Sequence, residues 1–187
     1  MTTTSKPGEM ILLIGGARAG KSAFAAKLAA DVESTAPCHV AFIATAEALD
    51  DEMALRIKNH RAQRPPHWLT IEEPLDLAAA LTQASSADVA IVDCFTLFVS
   101  NWLLSQANLD EAEANMDQAV ESFLAAASAS ARTIICVSNE VGLGLVPDTP
   151  LGRVYRDCLG KVNQSLARAA DKVYWLAAGI PVQIKPR

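Results

Sequence analysis

Lys21 and Ser22 close a glycine-bounded loop, Gly15-Gly16-Ala17-Arg18-Ala19-Gly20-Lys21-Ser22, that fits the pattern G-x-x-x-x-G-K-[ST]. The chemistry of such a loop is anion binding. Glycines let the backbone turn several N–H groups toward one phosphate, and a helix that starts there adds the positive end of its dipole. Lys21 is expected to reach the β- and γ-phosphates of a nucleotide, and the Ser22 hydroxyl to ligate Mg²⁺. Asp93 closes the apolar run Val89 to Val92. An acid in that place either shares the metal with Ser22 or caps the following helix, and a phosphate loop gives a metal a reason to be there.

His60 is one of three histidines and lies among Arg56, Lys58, Arg61 and Arg64. Two readings stay open from chemistry alone. It is an ordinary exposed helix residue, or its imidazole attacks a phosphorus atom, with the arginines stabilising the charge that develops. Asn139-Glu140 falls at the end of another apolar run. Glu140 orders the loop there, assists the metal, or takes a proton from a substrate hydroxyl; the sequence does not separate these roles.

The elements that must position these groups alternate along the chain. Met10–Ile14 reads as a buried strand, followed by a helix to about Ala30. His39–Ala44 is a second strand, which places Thr45-Ala46-Glu47 at a carboxyl end, where ligands collect in open α/β sheets. Asp50, Asp51 and Glu52 open a helix that Pro65-Pro66 stops. Further strands are expected at Trp68–Glu72, Asp88–Asp93, Thr133–Ser138, Lys172–Leu176 and Pro181–Lys185. Helices are expected from Leu75, from Cys94, from an N-cap at Asp110 with Glu113 completing a capping box, and from Gly152. This alternation predicts an α/β fold with a mainly parallel sheet and helices on both faces.

The 187 residues suit one domain, 1–187, and 51% hydrophobic with 20% charged residues reads as ordered and globular. A net charge of −5 argues against a nucleic-acid partner, which asks for a basic face. Cys38, Cys94, Cys136 and Cys158 are too scattered for a zinc site or a disulfide framework. The apolar run before the glycines is too short for a signal h-region, and no segment reaches the length of a membrane span, so a cytoplasmic protein is expected.

Four stretches together resemble the bifunctional adenosylcobinamide kinase / adenosylcobinamide-phosphate guanylyltransferases of cobalamin biosynthesis. They are GGARAGKS from Gly15, ATAEALDDEMALRIKNHRAQRPPHW from Ala44, VSNEVGLGLVP from Val137 and GRVYRDCLGKVNQ from Gly152. The first is common to all P-loop proteins; the second and third are far more specific. The resemblance implies a RecA-like P-loop fold and a homotrimer. It implies two reactions on small molecules. ATP or GTP phosphorylates adenosylcobinamide, and GMP from GTP is then moved onto that phosphate through a GMP-histidine intermediate at His60. It further implies nucleotide contacts at Gly15 to Ser22, at Ala44, Thr45 and Ala46, at Arg61, Ala62, Gln63 and Arg64, and at Glu72 and Asp93. Two positions depart from the family pattern: Ala19, where a small polar residue is expected, and Asn59, where some members carry a second histidine. Two rival readings are a one-step small-metabolite kinase, which forms no covalent nucleotide, and a GTP-binding switch, for which there is no N-K-x-D-like guanine motif and no D-x-x-G switch loop.

Overall fold

The computed structural model describes residues 8–62 and 64–186. Strands and helices alternate from the start: β1 (Met10–Gly15), α1 (Lys21–Glu33), β2 (Val40–Ala44), α2 (Asp51–Ala62), β3 (Leu69–Glu72), α3 (Leu77–Gln83) and β4 (Val89–Asp93). Two helices then run in succession, α4 (Phe95–Ser105) and α5 (Leu109–Ser128). They are followed by β5 (Thr133–Asn139), α6 (Pro150–Ala169), β6 (Lys172–Ala177) and β7 (Ile180–Lys185). The strands form one sheet in the order β3-β2-β4-β5-β1-β6-β7. All pairs are parallel except β6 with β7. This is the expected α/β, RecA-like arrangement, with β5 lying between the loop-bearing β1 and the acid-bearing β4.

The central strands are buried on both faces, which is why they read as unbroken apolar runs. Alternation along β1 sends Leu12 and Ile14 to one core, with Leu77, Phe95, Phe98, Phe123 and Leu159 from α3 to α6. Ile11 and Leu13 go to a second core, with Ala25, Leu28 and Ala29 of α1 and with Trp68. Helices therefore cover both faces. The exception is α2, which buries no residue.

Three helix starts differ from the sequence reading. α5 begins at Leu109, and Ala112 N–H donates to the Asn108 carbonyl (3.0 Å), so Asp110 lies in the first turn and is not the N-cap. Glu113 is drawn instead to Lys161 of α6. α6 begins at Pro150, two residues before Gly152, because Thr149 caps it by accepting from Gly152 N–H (3.1 Å) and proline fits the first position. α3 begins at Leu77, capped by Asp76, which accepts from Ala79 N–H (2.9 Å).

Candidate nucleotide and phosphoryl-transfer site

The glycine loop leaves β1 where backbone crowding demands glycine. A Cβ on Gly15 would sit 2.4 Å from the Leu176 carbonyl oxygen of β6. Gly20 takes φ +89°, and its Cβ would meet the Cα of Gly179 at 3.2 Å. The β6–β7 turn thus packs on the loop, and Gly179 N–H donates to the Ala19 carbonyl (3.1 Å). Ala19 itself is buried in the α1-side core, so a methyl is accommodated in that place. Gly16, Ala17 and Arg18 are exposed at the loop's crest.

Lys21 is nearly buried, and its ammonium donates to the carbonyls of Gly15 (3.1 Å) and Gly16 (2.6 Å). Burial pulls its pKa below the ordinary lysine value, while Cys94 and Asp93 oppose that pull. The Ser22 hydroxyl is close enough to the Asp93 carboxylate to favour its charged form. Burial pushes Asp93 above the usual carboxylate range, and Ser22, His60, Arg64 and Lys21 each act to lower it. One half-buried carboxylate therefore feels the loop's lysine and serine, the histidine of α2 and an arginine. This is the convergence the motif spacing left open.

α2 is set by its ends. Asp50 accepts from Met53 N–H (2.7 Å) and so caps the helix. After Ala62 the chain turns, and the Arg64 guanidinium lies 3.5 Å from the centre of the Phe42 ring on β2. Arg64 Nε is buried with no hydrogen-bond partner, and burial lowers the Arg64 pKa, with Asp93 and Glu72 raising it and Arg61 lowering it. Arg61 pairs with Glu72 at 3.3 Å. His60 and Ala62 are exposed. Gln63 lies outside the described residues.

Thr45 is placed differently from a ligand contact. It is fully buried, and its hydroxyl donates to the Cys94 carbonyl and accepts from Cys94 N–H, both at 2.8 Å. Its own N–H donates to the Asp93 carbonyl (3.2 Å), and its carbonyl accepts from Asn101 (2.7 Å). All its polar groups are thus engaged within the protein, where they staple the end of β2 to the turn after Asp93. Ala44 gives its carbonyl to Glu73 N–H (3.0 Å), which leaves Ala46 as the partly exposed member of the trio.

For a metal, Ser22 and Asp93 offer two hard oxygens side by side. That donor set suits Mg²⁺, which takes one or two protein oxygens and fills its shell from phosphates and water. No group of three or more His, Cys, Asp or Glu that could hold a metal occurs among the described residues. Sequence reasoning missed the Thr45–Cys94 staple, the Asn101 brace and the docking of the β6–β7 turn. The visible signal was slight: a buried threonine after a strand, and a glycine after β6.

Residues 11–184 match the model of the family described as cobinamide kinase / cobinamide phosphate guanyltransferase. The bifunctional adenosylcobalamin biosynthesis protein CobP of Pseudomonas aeruginosa is 43% identical, over 93% of this chain and 96% of its own. The protein of the same description named CobU is 42% identical in Salmonella typhimurium and 40% identical in Escherichia coli. Each of those matches spans 94% of this chain and 99% of the relative. The flagellar accessory protein FlaH of Methanocaldococcus jannaschii shares the fold, with a TM-score of 0.57 at 16% identity over 100% of this chain and 82% of that one. With its P-loop, acid and histidine helix converging, and with these likenesses spanning nearly its whole length, the chain belongs to the cobinamide kinase / cobinamide phosphate guanyltransferase family.

Proposed function

We propose that this chain carries out two successive transfers onto one corrinoid. In the first, the alcohol of adenosylcobinamide attacks the γ-phosphorus of ATP or GTP, the nucleoside diphosphate leaves, and the alcohol proton passes to a base. In the second, the imidazole of His60 attacks the α-phosphorus of GTP and pyrophosphate departs, leaving a GMP-histidine phosphoramidate. The phosphate of adenosylcobinamide phosphate then attacks that phosphorus. The P–N bond breaks, and adenosylcobinamide-GDP forms.

Each residue contributes by position. The N–H groups of Gly16 to Lys21 line the phosphates, and the Lys21 ammonium exchanges its two loop carbonyls for phosphate oxygens. Arg64, held over Phe42, keeps a cation beside the transferred group. Ser22 and Asp93 would hold Mg²⁺, which neutralises phosphate charge when bound. Gly15 to Ser22, Ala46, Arg61, Ala62, Gln63, Arg64 and Glu72 make up the assigned nucleotide contacts, with Ala44 and Thr45 supporting from behind.

What supports this reading is that His60 and Arg64 of the α2 region are near enough to the half-buried Asp93 to favour its charged form, as Ser22 and Lys21 are. A histidine remote from the P-loop in sequence is thereby brought into the loop's electrostatic neighbourhood. The test is incubation with GTP labelled at the α-phosphorus. An acid-labile, alkali-stable label on the protein, lost in His60→Asn, is expected; wild-type protein that stays unlabelled would falsify the guanylyl half. The same reading takes the protein to be a homotrimer, three copies of 19.8 kDa or about 59 kDa, which sedimentation measures. No helix among the described residues is long and apolar enough to cross a membrane.

A further inference from the structure

We infer that Glu140 is the general base of the kinase step, the group that accepts the proton of the corrinoid alcohol. The inference rests on the two-transfer reading above and deepens it.

The sheet ranks the carboxylates at its carboxyl edge. β5 lies directly beside β1, with Asn139 paired to Gly15, so Glu140 is one strand spacing, about 4.8 Å, from the phosphate loop. Its N–H donates to the Gly15 carbonyl (3.1 Å), the same carbonyl that receives Lys21 (3.1 Å). Glu47 follows β2, three spacings or about 14 Å away. Asp93 turns toward Ser22 and Lys21, whose influence favours its charged form, and Glu72 pairs with Arg61. Glu73 accepts from the N–H groups of Leu75 and Asp76. Glu140 accepts only from Gly142 N–H through Oε1, and its other oxygen has no hydrogen-bond partner among the described residues.

The end of β5 is also held unusually firmly. Buried Ser138 donates to Asn163 of α6 (2.6 Å), and Asn163 donates to the Asn139 carbonyl (3.0 Å). Asn139 N–H donates to Thr96 of α4 (2.8 Å). A base works only if it is fixed near the proton it takes, and this clamp supplies the fixing.

Ser138 faces α6, whereas Asp93 follows Val92 of the α6-side core, so alternation turns its side chain to the other face, toward Ser22 of α1. Beyond Glu140 the chain exposes Leu143 and Leu145, and a 270 Å³ apolar cleft between α4 and α6 is lined by Leu103, Leu104, Leu151 and Tyr155. Tyr155 donates to the Thr96 carbonyl (3.4 Å), which links that cleft to the clamp. Glu140 thus lies beside the phosphate loop and opens an exposed apolar stretch suited to a large ring-bearing alcohol. On transfer, the alcohol O–H bond breaks as its oxygen bonds to the γ-phosphorus, the nucleoside diphosphate leaves, and the proton resides on Glu140 until it is lost to water.

The test uses the full chain with Mg²⁺, ATP and adenosylcobinamide for phosphorylation, and GTP with pre-formed adenosylcobinamide phosphate for guanylylation. In Glu140→Gln the amide oxygen can still accept from Gly142 N–H, so loop order is retained while basicity is lost. The expected kcat for phosphorylation falls by about 10²- to 10⁴-fold. Labelling of His60 and guanylyl transfer stay within about threefold of wild type. Glu140→Asp is expected to recover part of the phosphorylation rate. Phosphorylation by Glu140→Gln within tenfold of wild type overturns the assignment, as does an equal fall in both reactions, which marks a structural role. Wild-type protein that phosphorylates no corrinoid overturns the functional reading itself, an outcome separable from the others by the wild-type arm alone.

Discussion

Replacing Thr45 by valine tests how the acid is held at the sheet edge. The two side chains have nearly the same shape, so packing is preserved and only the hydroxyl is lost. That hydroxyl serves Cys94 twice, accepting from its N–H and donating to its carbonyl, both at 2.8 Å. The carbonyl keeps a second donor, Phe98 N–H at 3.1 Å, so its loss is about 0.5–1 kcal/mol. Cys94 N–H has no other partner among the described residues and loses about 1–3 kcal/mol when left unpaired. The sum centres near 2.5 kcal/mol. With a urea m-value of about 2 kcal/mol/M, the unfolding midpoint should fall by roughly 1.2 M. Thr45→Ser restores both bonds and removes one methyl, so it should cost only about 1 kcal/mol. A Thr45→Val midpoint within 0.2 M of wild type, or serine and valine variants of equal stability, would refute the staple.

Asp93→Asn should abolish Mg²⁺-dependent turnover while stabilising the ligand-free protein at pH 7. Burial raises the folded pKa of Asp93 above its unfolded value, so the favourable protonated state is present below the ordinary carboxylate range and is lost as pH rises. The asparagine advantage should therefore vanish as pH is lowered into that range, which thermal unfolding from pH 4 to 8 would reveal; a gain that grows toward low pH contradicts the sign. Gly15→Ala puts a methyl 2.4 Å from the Leu176 carbonyl, backbone against backbone, and should cost about 3 kcal/mol, or roughly 6–12 °C in Tm. Nucleotide binding by calorimetry should fall with it, and unchanged GTP affinity would show that the loop tolerates the shift.

What could be read from the residues was local. Gly15 to Ser22 and the apolar run before it carry their geometry in their own composition, and the Asp50 cap and Pro65 stop bracket α2 in the same way. The order of strands was not legible, because nothing in Thr133–Asn139 says that it inserts between β1 and β4. Asp110 was misread as a cap because the capping-box pattern is a local preference that tertiary contacts override; Glu113 is pulled toward Lys161 across to α6. Thr45 was read as a nucleotide contact from family likeness and from its place at the carboxyl end of a strand. Only the juxtaposition of β2 and β4 shows it satisfied from within. His60 is the opposite case: its neighbourhood with Asp93 depends on a helix that buries nothing, and so leaves no apolar pattern by which the helix could be placed.

The strand order sets a schedule for assembly. β1 carries the phosphate loop and is made early in synthesis, yet both its neighbours, β5 and β6, come from residues 133–139 and 172–177. The bond that props the loop comes from Gly179. A nascent chain therefore holds its anion-binding glycines unsupported until nearly all of these residues have emerged, and closing the sheet around β1 is a long-range event with a correspondingly slow rate. The grip on nucleotide is among the last features to form, so nucleotide competence reports the completeness of the sheet.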